Sequence, residues 1–310
     1  MNELELIARL TKALPANAAV VTGAGDDCAV LDFGLPDTLL LFKTDAVVEG
    51  VHFEKGAPLE KIGRKALARC LSDIAAMAGM PTAAVVTLGL PEQFEPETIE
   101  KIYDGLNHLA KKHGVAIVGG ETTASPEHLF ISVALLGTVH RGKQILRSTA
   151  RPGDAIFVTG ELGGASAGRH LDFEPRLDEA RWLTEHFSVH AMIDLSDGLA
   201  GDLRHILNAS GVGAELMKSA VPISRVAKEI ARKNPFGKTA LAAALSDGED
   251  FELLFTVAAG DAVKLLDAWK KHFPKLKLSC IGKTTAGEGI TVRDKTGAQK
   301  LDAHGYVHFA

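Results

Sequence analysis

The sequence predicts a mixed α and β protein of two domains or one large one, on three observations. The chain has 310 residues, and length allots roughly 150 residues to a domain. Short, strongly apolar runs alternate with longer stretches of helical periodicity. A turn cluster, Arg151-Pro152-Gly153-Asp154, lies near the middle and suits a domain boundary.

Residues 2–14 alternate as an amphipathic helix and lack the basic start, apolar centre and small-residue cleavage site of a signal peptide. Residues 28–31 and 39–42 read as short strands, each beside an acidic loop: Gly25-Asp26-Asp27 before the first and Thr44-Asp45 after the second. A helix is predicted over 59–78, a strand over 82–90, a helix over 97–112, and a strand over 115–118 that runs into Gly119-Gly120-Glu121. Residues 129–139 form a long strand, and 155–159 a strand leading into the Gly-rich segment 160–168. A helix near 177–187 precedes a strand over 192–195 that ends in Ser196-Asp197-Gly198. Helices follow over 199–209, 223–233 and 262–272, with strands over 251–257 and 276–281.

Composition narrows the function. Lys and Arg total 34 against 39 Asp and Glu, a net charge of −5, so neither nucleic acid nor an anionic membrane is an expected partner. Hydrophobic residues make up 46% and charged residues 24%, the balance of a folded globular chain. The apolar run near 82–90 is about half the ~20 residues of a membrane-spanning helix. Cys28, Cys70 and Cys280 are widely spaced with no CxxC, which excludes a disulfide framework and a thiolate zinc site and fits a reducing cytoplasm.

The chemistry lies in carboxylates set among apolar or glycine residues: Asp26, Asp27, Asp45, Asp73, Glu121, Asp194 and Asp197. Taken singly, Asp26 and Asp27 read as turn formers, and Ser196-Asp197-Gly198 as a helix cap. Asp73 is harder to dismiss, because Leu71-Ser72-Asp73-Ile74-Ala75-Ala76-Met77 is nearly apolar. Gathering several carboxylates away from water is costly unless cations compensate them. Oxygen ligands without His or Cys suit Mg²⁺, which shares its shell with substrate phosphate, so the pattern points to phosphoryl transfer. The common nucleotide signatures are missing. Gly237-Lys238-Thr239 has Arg232 and Gly282-Lys283-Thr284 has Lys277 where a P-loop needs its leading glycine. Neither a GxGxxG after a strand nor HExxH occurs. The segment 160–168 permits close backbone approach to phosphates, a weak signal by itself.

In order, the acidic motifs resemble the thiamine-monophosphate kinase family of the aminoimidazole-ribonucleotide-synthetase-like superfamily, over essentially the whole chain. The carrying segments are Gly25-Asp26-Asp27-Cys28-Ala29-Val30, Thr44-Asp45 through Glu49-Gly50-Val51-His52-Phe53, Leu71-Ser72-Asp73, Gly119-Gly120-Glu121-Thr122-Thr123, Leu146-Arg147-Ser148, Ile193-Asp194-Leu195-Ser196-Asp197-Gly198 and Gly248-Glu249-Asp250-Phe251-Glu252-Leu253. The ending Gly305-Tyr306-Val307-His308-Phe309 is similar as well.

The resemblance implies an α+β, two-domain aminoimidazole-ribonucleotide-synthetase-like fold. Residues 1–148 would form an ATP/Mg-binding and dimerisation domain and residues 149–310 a carboxy-terminal domain. The implied reaction is ATP-dependent phosphorylation of thiamine monophosphate to thiamine diphosphate, with several Mg²⁺ ions and direct in-line transfer. Asp27, Thr44, Asp45, Asp73, Glu121, Asp194 and Asp197 match metal positions, with Asp26 a neighbour. Tyr103, Gly120, Glu121, Arg147 and Ser196 match ATP positions, and His52, Glu249 and Tyr306 match thiamine-phosphate positions. No residue is required for proton transfer; Asp45 and Arg147 would position and supply charge. The implied homodimer joins the amino-terminal sheets and would protect the edge of the 129–139 strand.

Four departures from the family pattern stand out. Lys43 replaces the common Ser or Thr before Thr-Asp, Cys70 replaces Asn before Leu-Ser-Asp, Glu121 replaces Asp, and Asp247 replaces Gly. They leave open a non-catalytic relative that binds nucleotide and Mg²⁺. Selenophosphate synthesis is disfavoured because Cys28 occupies a small apolar slot, and the hydrogenase-maturation dehydratase because the chain does not end in Cys.

Overall fold

The computed structural model describes residues 3–302 together with Gly305 and Tyr306; Asn2 of the expected first helix, and Val307, His308 and Phe309 of the family-like ending, lie outside the described residues. The chain divides into two compact units, Asn17–Gln144 with His170–Leu177, and Met1–Ala16 with Ile145–Arg169 and Asp178–Ala310. The amino-terminal helix α1 (Glu3–Thr11) thus belongs to the unit built mainly of later residues.

The unit of residues 17–144 carries β1 (Val20–Thr22), β2 (Ala29–Leu31), β3 (Thr38–Val48), α2 (Leu59–Ala76), β4 (Met80–Leu90), α3 (Pro96–His113), β5 (Ala116–Ala124) and β6 (Phe130–His140). Its sheet has the order β1-β2-β3-β6-β4-β5, antiparallel except for β4 beside β5. Strand alternation gives the sheet one apolar inner face, with Leu39, Leu41, Val47, Ile131, Val133 and Leu135 buried, and α2 packs on it. The other face leaves Phe42, Val85 and Leu136 exposed. The 129–139 strand, expected at an edge, lies between β3 and β4; β5 and β1 are the edges. Its unbroken apolar inner pattern is that of a central strand. Residues 170–177 are fastened to α2 and α3 by charge: Lys61 pairs with Asp172, and Glu174 with Arg64 at 2.7 Å and Lys112 at 2.5 Å.

The other unit continues with β7 (Ala155–Thr159), α4 (Leu177–His186), β8 (Val189–Asp194), α5 (Leu199–Ser210), β9 (Gly213–Met217), α6 (Arg225–Lys233), α7 (Ala240–Ser246), β10 (Leu253–Val257), α8 (Ala262–His272), β11 (Leu278–Thr285), β12 (Ile290–Asp294) and β13 (Gly297–Lys300). The sheet order is β13-β12-β9-β11-β7-β10-β8. Ile156, Val158, Ile193 and Leu254 meet Leu199, Leu203, Ile206 and Leu207 of α5 and Ala244 and Leu245 of α7 in one core. The alternate residues Phe157 and Phe255 face the opposite way, stack 5.5 Å apart and are fully buried. This sheet is therefore covered on both sides. Ser224 and Thr239 start α6 and α7 by accepting from the Ala227 and Ala242 amides. Among the described residues, no helix is long and apolar enough to cross a membrane.

Candidate functional site

In the unit of residues 17–144, the acids gather where β3 faces α2. Asp45 was expected in a loop after a four-residue strand; β3 instead runs for 11 residues, and Lys43 and Asp45 continue the inward series of Leu39 and Leu41. Asp73 lies buried on α2, and Asp27 lies buried just before β2. Carboxylate oxygens of Asp27 and Asp73 approach within 4.8 Å of each other. Lys43 Nζ lies 3.0 Å from Asp73 Oδ1 and 4.0 Å from Asp45 Oδ2. Arg69 lies one helical turn before Asp73, which places both on one face of α2. Its guanidinium donates to the Ala46 carbonyl at 3.0 Å and reaches Asp45 Oδ1 at 3.5 Å. Burial alone would lower the pKa of Lys43, but Asp73, Asp45 and Asp27 outweigh it and hold the ammonium well above its usual value.

Other expected residues of this unit are placed differently. Thr44 points to the opposite face of β3, where its hydroxyl lies 3.4 Å from that of Ser132. Gly120 is in register with Asp45 through Val133 and Val86, three strand spacings away, or about 14 Å. Within this chain Gly120 and Glu121 therefore stand apart from Asp45. Gly120 has a packing reason as well, since a Cβ there would lie 1.8 Å from the Val86 carbonyl oxygen. Glu121 is exposed on β5 and accepts from the Thr122 amide at 3.0 Å. Tyr103 is half-buried on α3, and burial raises its pKa. His52 follows β3; its Nδ1 accepts from the Val48 amide at 3.1 Å and its carbonyl accepts from Lys65 Nζ at 2.6 Å. Cys28 is buried, and burial together with Asp73 and Asp27 raises its pKa, so it is no nucleophile.

In the other unit, β8 ends at buried Asp194, and the turn after it meets two segments distant in sequence. The Glu249 amide donates to the Ser196 carbonyl at 2.6 Å, the Phe251 amide to the Leu195 carbonyl at 2.7 Å, and the Tyr306 amide to the Asp197 carbonyl at 2.8 Å. Tyr306 comes this close because Gly305 packs on Gly201: a Cβ on Gly201 would lie 2.9 Å from the Gly305 Cα. Gly248, Glu249 and Phe251 all have left-handed φ, +73°, +58° and +49°. For Glu and Phe this is strained, and the lacing to Leu195 and Ser196 holds it. Asp202, in the first turn of α5, accepts from the Asp197 amide at 3.0 Å. Asp197, Asp202 and His205 bring potential ligand atoms within 4.8 Å of one another. Burial, then Asp197 and Asp194, push the Asp202 carboxyl well above the usual range, while the Asp197 amide and the Arg147 charge oppose the shift.

A second buried acid group underlies this turn. Asp250 receives the Gly163 amide at 3.0 Å and Arg169 Nη2 at 2.5 Å, and Glu252 receives the Thr159 hydroxyl at 2.7 Å. Burial pushes the Asp250 carboxyl up to about 7, against the pull of Arg169 and the Gly163 amide. The Gly164 amide also faces a carboxylate, Asp247 Oδ2, at 3.3 Å. Gly163 and Gly164 of the Gly-rich segment thus spend their amides on protein carboxylates, and the phosphate reading of those two positions falls away. Sequence reasoning missed Arg69, Asp202, Arg169 and the roles of Asp250 and Glu252. The spacing of Arg69 from Asp73 was the one local signal; Arg169 and Asp250 meet across 81 positions.

The donor set fits a hard divalent cation. Aspartate oxygens dominate both groups, and the Asp202 carboxyl, raised by burial and then by Asp197 and Asp194, marks a desolvated cluster of like charge that such an ion would relieve.

Residues 25–139 match the family AIR synthase related protein, N-terminal domain, and residues 151–295 its C-terminal domain. A thiamine-monophosphate kinase of Rhodopirellula baltica is 40% identical, covering 96% of this chain and 93% of that protein. One of Bacillus subtilis is 34% identical over the full length of both. The solved structure of AaThiL complexed with AMPPCP and TMP superposes with a TM-score of 0.81 at 30% identity, covering 99% of this chain and 97% of that one. Two AIR-synthase-related domains and full-length likeness to these kinases place the chain in the thiamine-monophosphate kinase family.

Proposed function

We propose that this chain transfers the γ-phosphoryl group of ATP to the phosphate of thiamine monophosphate. The gathering of Ser196, Asp197, Glu249 and Tyr306 at the end of β8 carries this reading, because candidates for nucleotide, metal and thiamine contact from three sequence-distant segments share one turn. The bond formed joins a phosphate oxygen of thiamine monophosphate to the γ-phosphorus, and the bond broken joins that phosphorus to the bridging oxygen. The products are thiamine diphosphate and ADP. A phosphate monoester is already anionic near neutral pH, so the protein's task is positioning and charge.

Asp27, Asp45 and Asp73 in one unit and Asp194 and Asp197 in the other would hold Mg²⁺, with Thr44 and Glu121 as further candidates. When bound, the ion neutralises the phosphates that would otherwise repel each other. Arg147 offers a planar fork for phosphate oxygens, with Tyr103, Gly120 and Ser196 as nucleotide contacts. Glu249 offsets the positive charge of thiamine, while His52 and Tyr306 offer ring faces to it.

A homodimer belongs to this reading. The exposed Phe42, Val85 and Leu136 face, and the edge strand β5 with Val118 66% exposed, support a second copy packed there. A cytoplasmic location is supported by three unpaired thiols. The test is ATP consumption by purified protein with thiamine monophosphate, with unphosphorylated thiamine and with no acceptor, each with and without Mg²⁺. Turnover only with thiamine monophosphate and Mg²⁺ supports the reading. Tight ATP binding without turnover supports a non-catalytic nucleotide binder.

A further inference from the structure

We propose that Lys43 is a covalently attached cation of the acidic set on β3 and α2, whose ammonium holds the place between Asp45 and Asp73 that a divalent ion would otherwise take. The inference rests on reading these carboxylates as cation ligands, and goes beyond it by assigning one of the positive charges to the chain itself.

Lysine on the inner face of a sheet is unusual, since its neighbours in the alternation are Leu41 and Asp45, and Leu41 is fully buried. Its ammonium does not run to solvent. It lies 3.0 Å from Asp73 and 4.0 Å from Asp45, and Asp73 in turn shares its neighbourhood with Asp27. With Lys43 and Arg69 both present, three ionised carboxylates keep a single net negative charge. Without Lys43 the same set carries two, the charge a divalent ion neutralises. Removing the lysine stem also opens room on the inner face for an ion and its waters. Strand geometry makes the arrangement obligatory, because residue 43 and residue 45 must point to the same side.

The test counts bound Mn²⁺ per chain on the full-length protein, without nucleotide or thiamine phosphate, by the free-ion electron paramagnetic resonance signal. Lys43→Ser should bind one Mn²⁺ more than wild type. Its melting temperature should also gain about 4 °C more than wild type from Mg²⁺ at a hundred times the dissociation constant. Lys43→Arg, which keeps a cation in place, should keep the wild-type count. A Lys43→Ser chain that folds only when Mg²⁺ is added, judged by circular dichroism, supports the proposal equally. Three results overturn it: a folded Lys43→Ser protein with the wild-type count, a gain in Lys43→Ser and Lys43→Arg alike, or a Lys43→Ser chain that stays unfolded in Mg²⁺. If no protein, wild type included, binds Mn²⁺, the metal reading itself fails. Loss of kinase turnover alone leaves the count untouched.

Discussion

The two acidic groups solve the same electrostatic problem differently. On β3 and α2, Asp45 and Asp73 have Lys43 within 3.0–4.0 Å and Arg69 at 3.5 Å from Asp45, so the unit brings its own positive charge. At the end of β8, Asp194, Asp197 and Asp202 crowd one another, and the Asp202 carboxyl is pushed up by burial first and then by Asp197 and Asp194. The first group is folded around cations; the second stores repulsion. A group that stores repulsion gains most from an incoming cation, and a balanced one serves as a rigid frame.

The largest expected effect tests the balanced side. Asp45→Asn removes one ligand charge where Lys43 and Arg69 remain paired through Asp73 and Ala46, so turnover should fall by about 10³-fold while circular dichroism stays unchanged. Wild-type turnover in that variant would break the comparison at its functional end.

The next test reads, through pH, the buried acid group that underlies the turn after β8. The folded value of Asp250, about 7, lies above its unfolded value near 4. The folded state therefore holds the proton more tightly, and this contribution to stability is complete below about pH 4 and lost as pH rises through 7. It amounts to at most about 4 kcal/mol. Urea unfolding of Asp250→Asn against wild type should show wild type losing stability relative to the variant between pH 4 and 7. A constant difference would show that Arg169 keeps Asp250 charged throughout.

Arg169→Met should cost about 3 kcal/mol by urea unfolding above pH 7, where Asp250 is ionised, because it strands Asp250 and Glu252, which remain buried. The figure sits at the low end for a broken buried pair, since Arg169 is itself 36% exposed. A loss under 1 kcal/mol would place the stability of that turn elsewhere. The smallest effect concerns strain: Glu249→Gly relieves a left-handed φ of +58° and should stabilise by about 1 kcal/mol. The KM for thiamine monophosphate should rise at the same time. Unchanged KM would remove Glu249 from substrate binding.

Much of the frame was legible locally. Residues 155–159 and 262–272 form the strand and helix that their periodicity predicts, because each has an uninterrupted apolar pattern. β1, β9, β12, β13 and α7 were missed, being short and weakly patterned. Asp45 was assigned to a loop because polar Lys43, Thr44 and Asp45 break the apolar run; in the sheet they continue the alternation, with the charged pair inward. The acids were found because a carboxylate among apolar neighbours is visible in one dimension. Of their cations, Lys43 stands out in the sequence as a departure from the family pattern, whereas Arg69 looks like an ordinary surface charge until strand and helix are packed.

The order of acidic motifs was enough to establish the family and the phosphoryl-transfer chemistry, because the residue types that hold phosphate and magnesium are few and their local surroundings are written in the chain. Only the tertiary structure decided that Lys43 meets Asp73, that Thr44 turns away from Asp45, and that Glu249 and Tyr306 reach the turn at Asp197. Charge compensation acts through space over a few ångströms, and a linear sequence does not state which side chains will be that close.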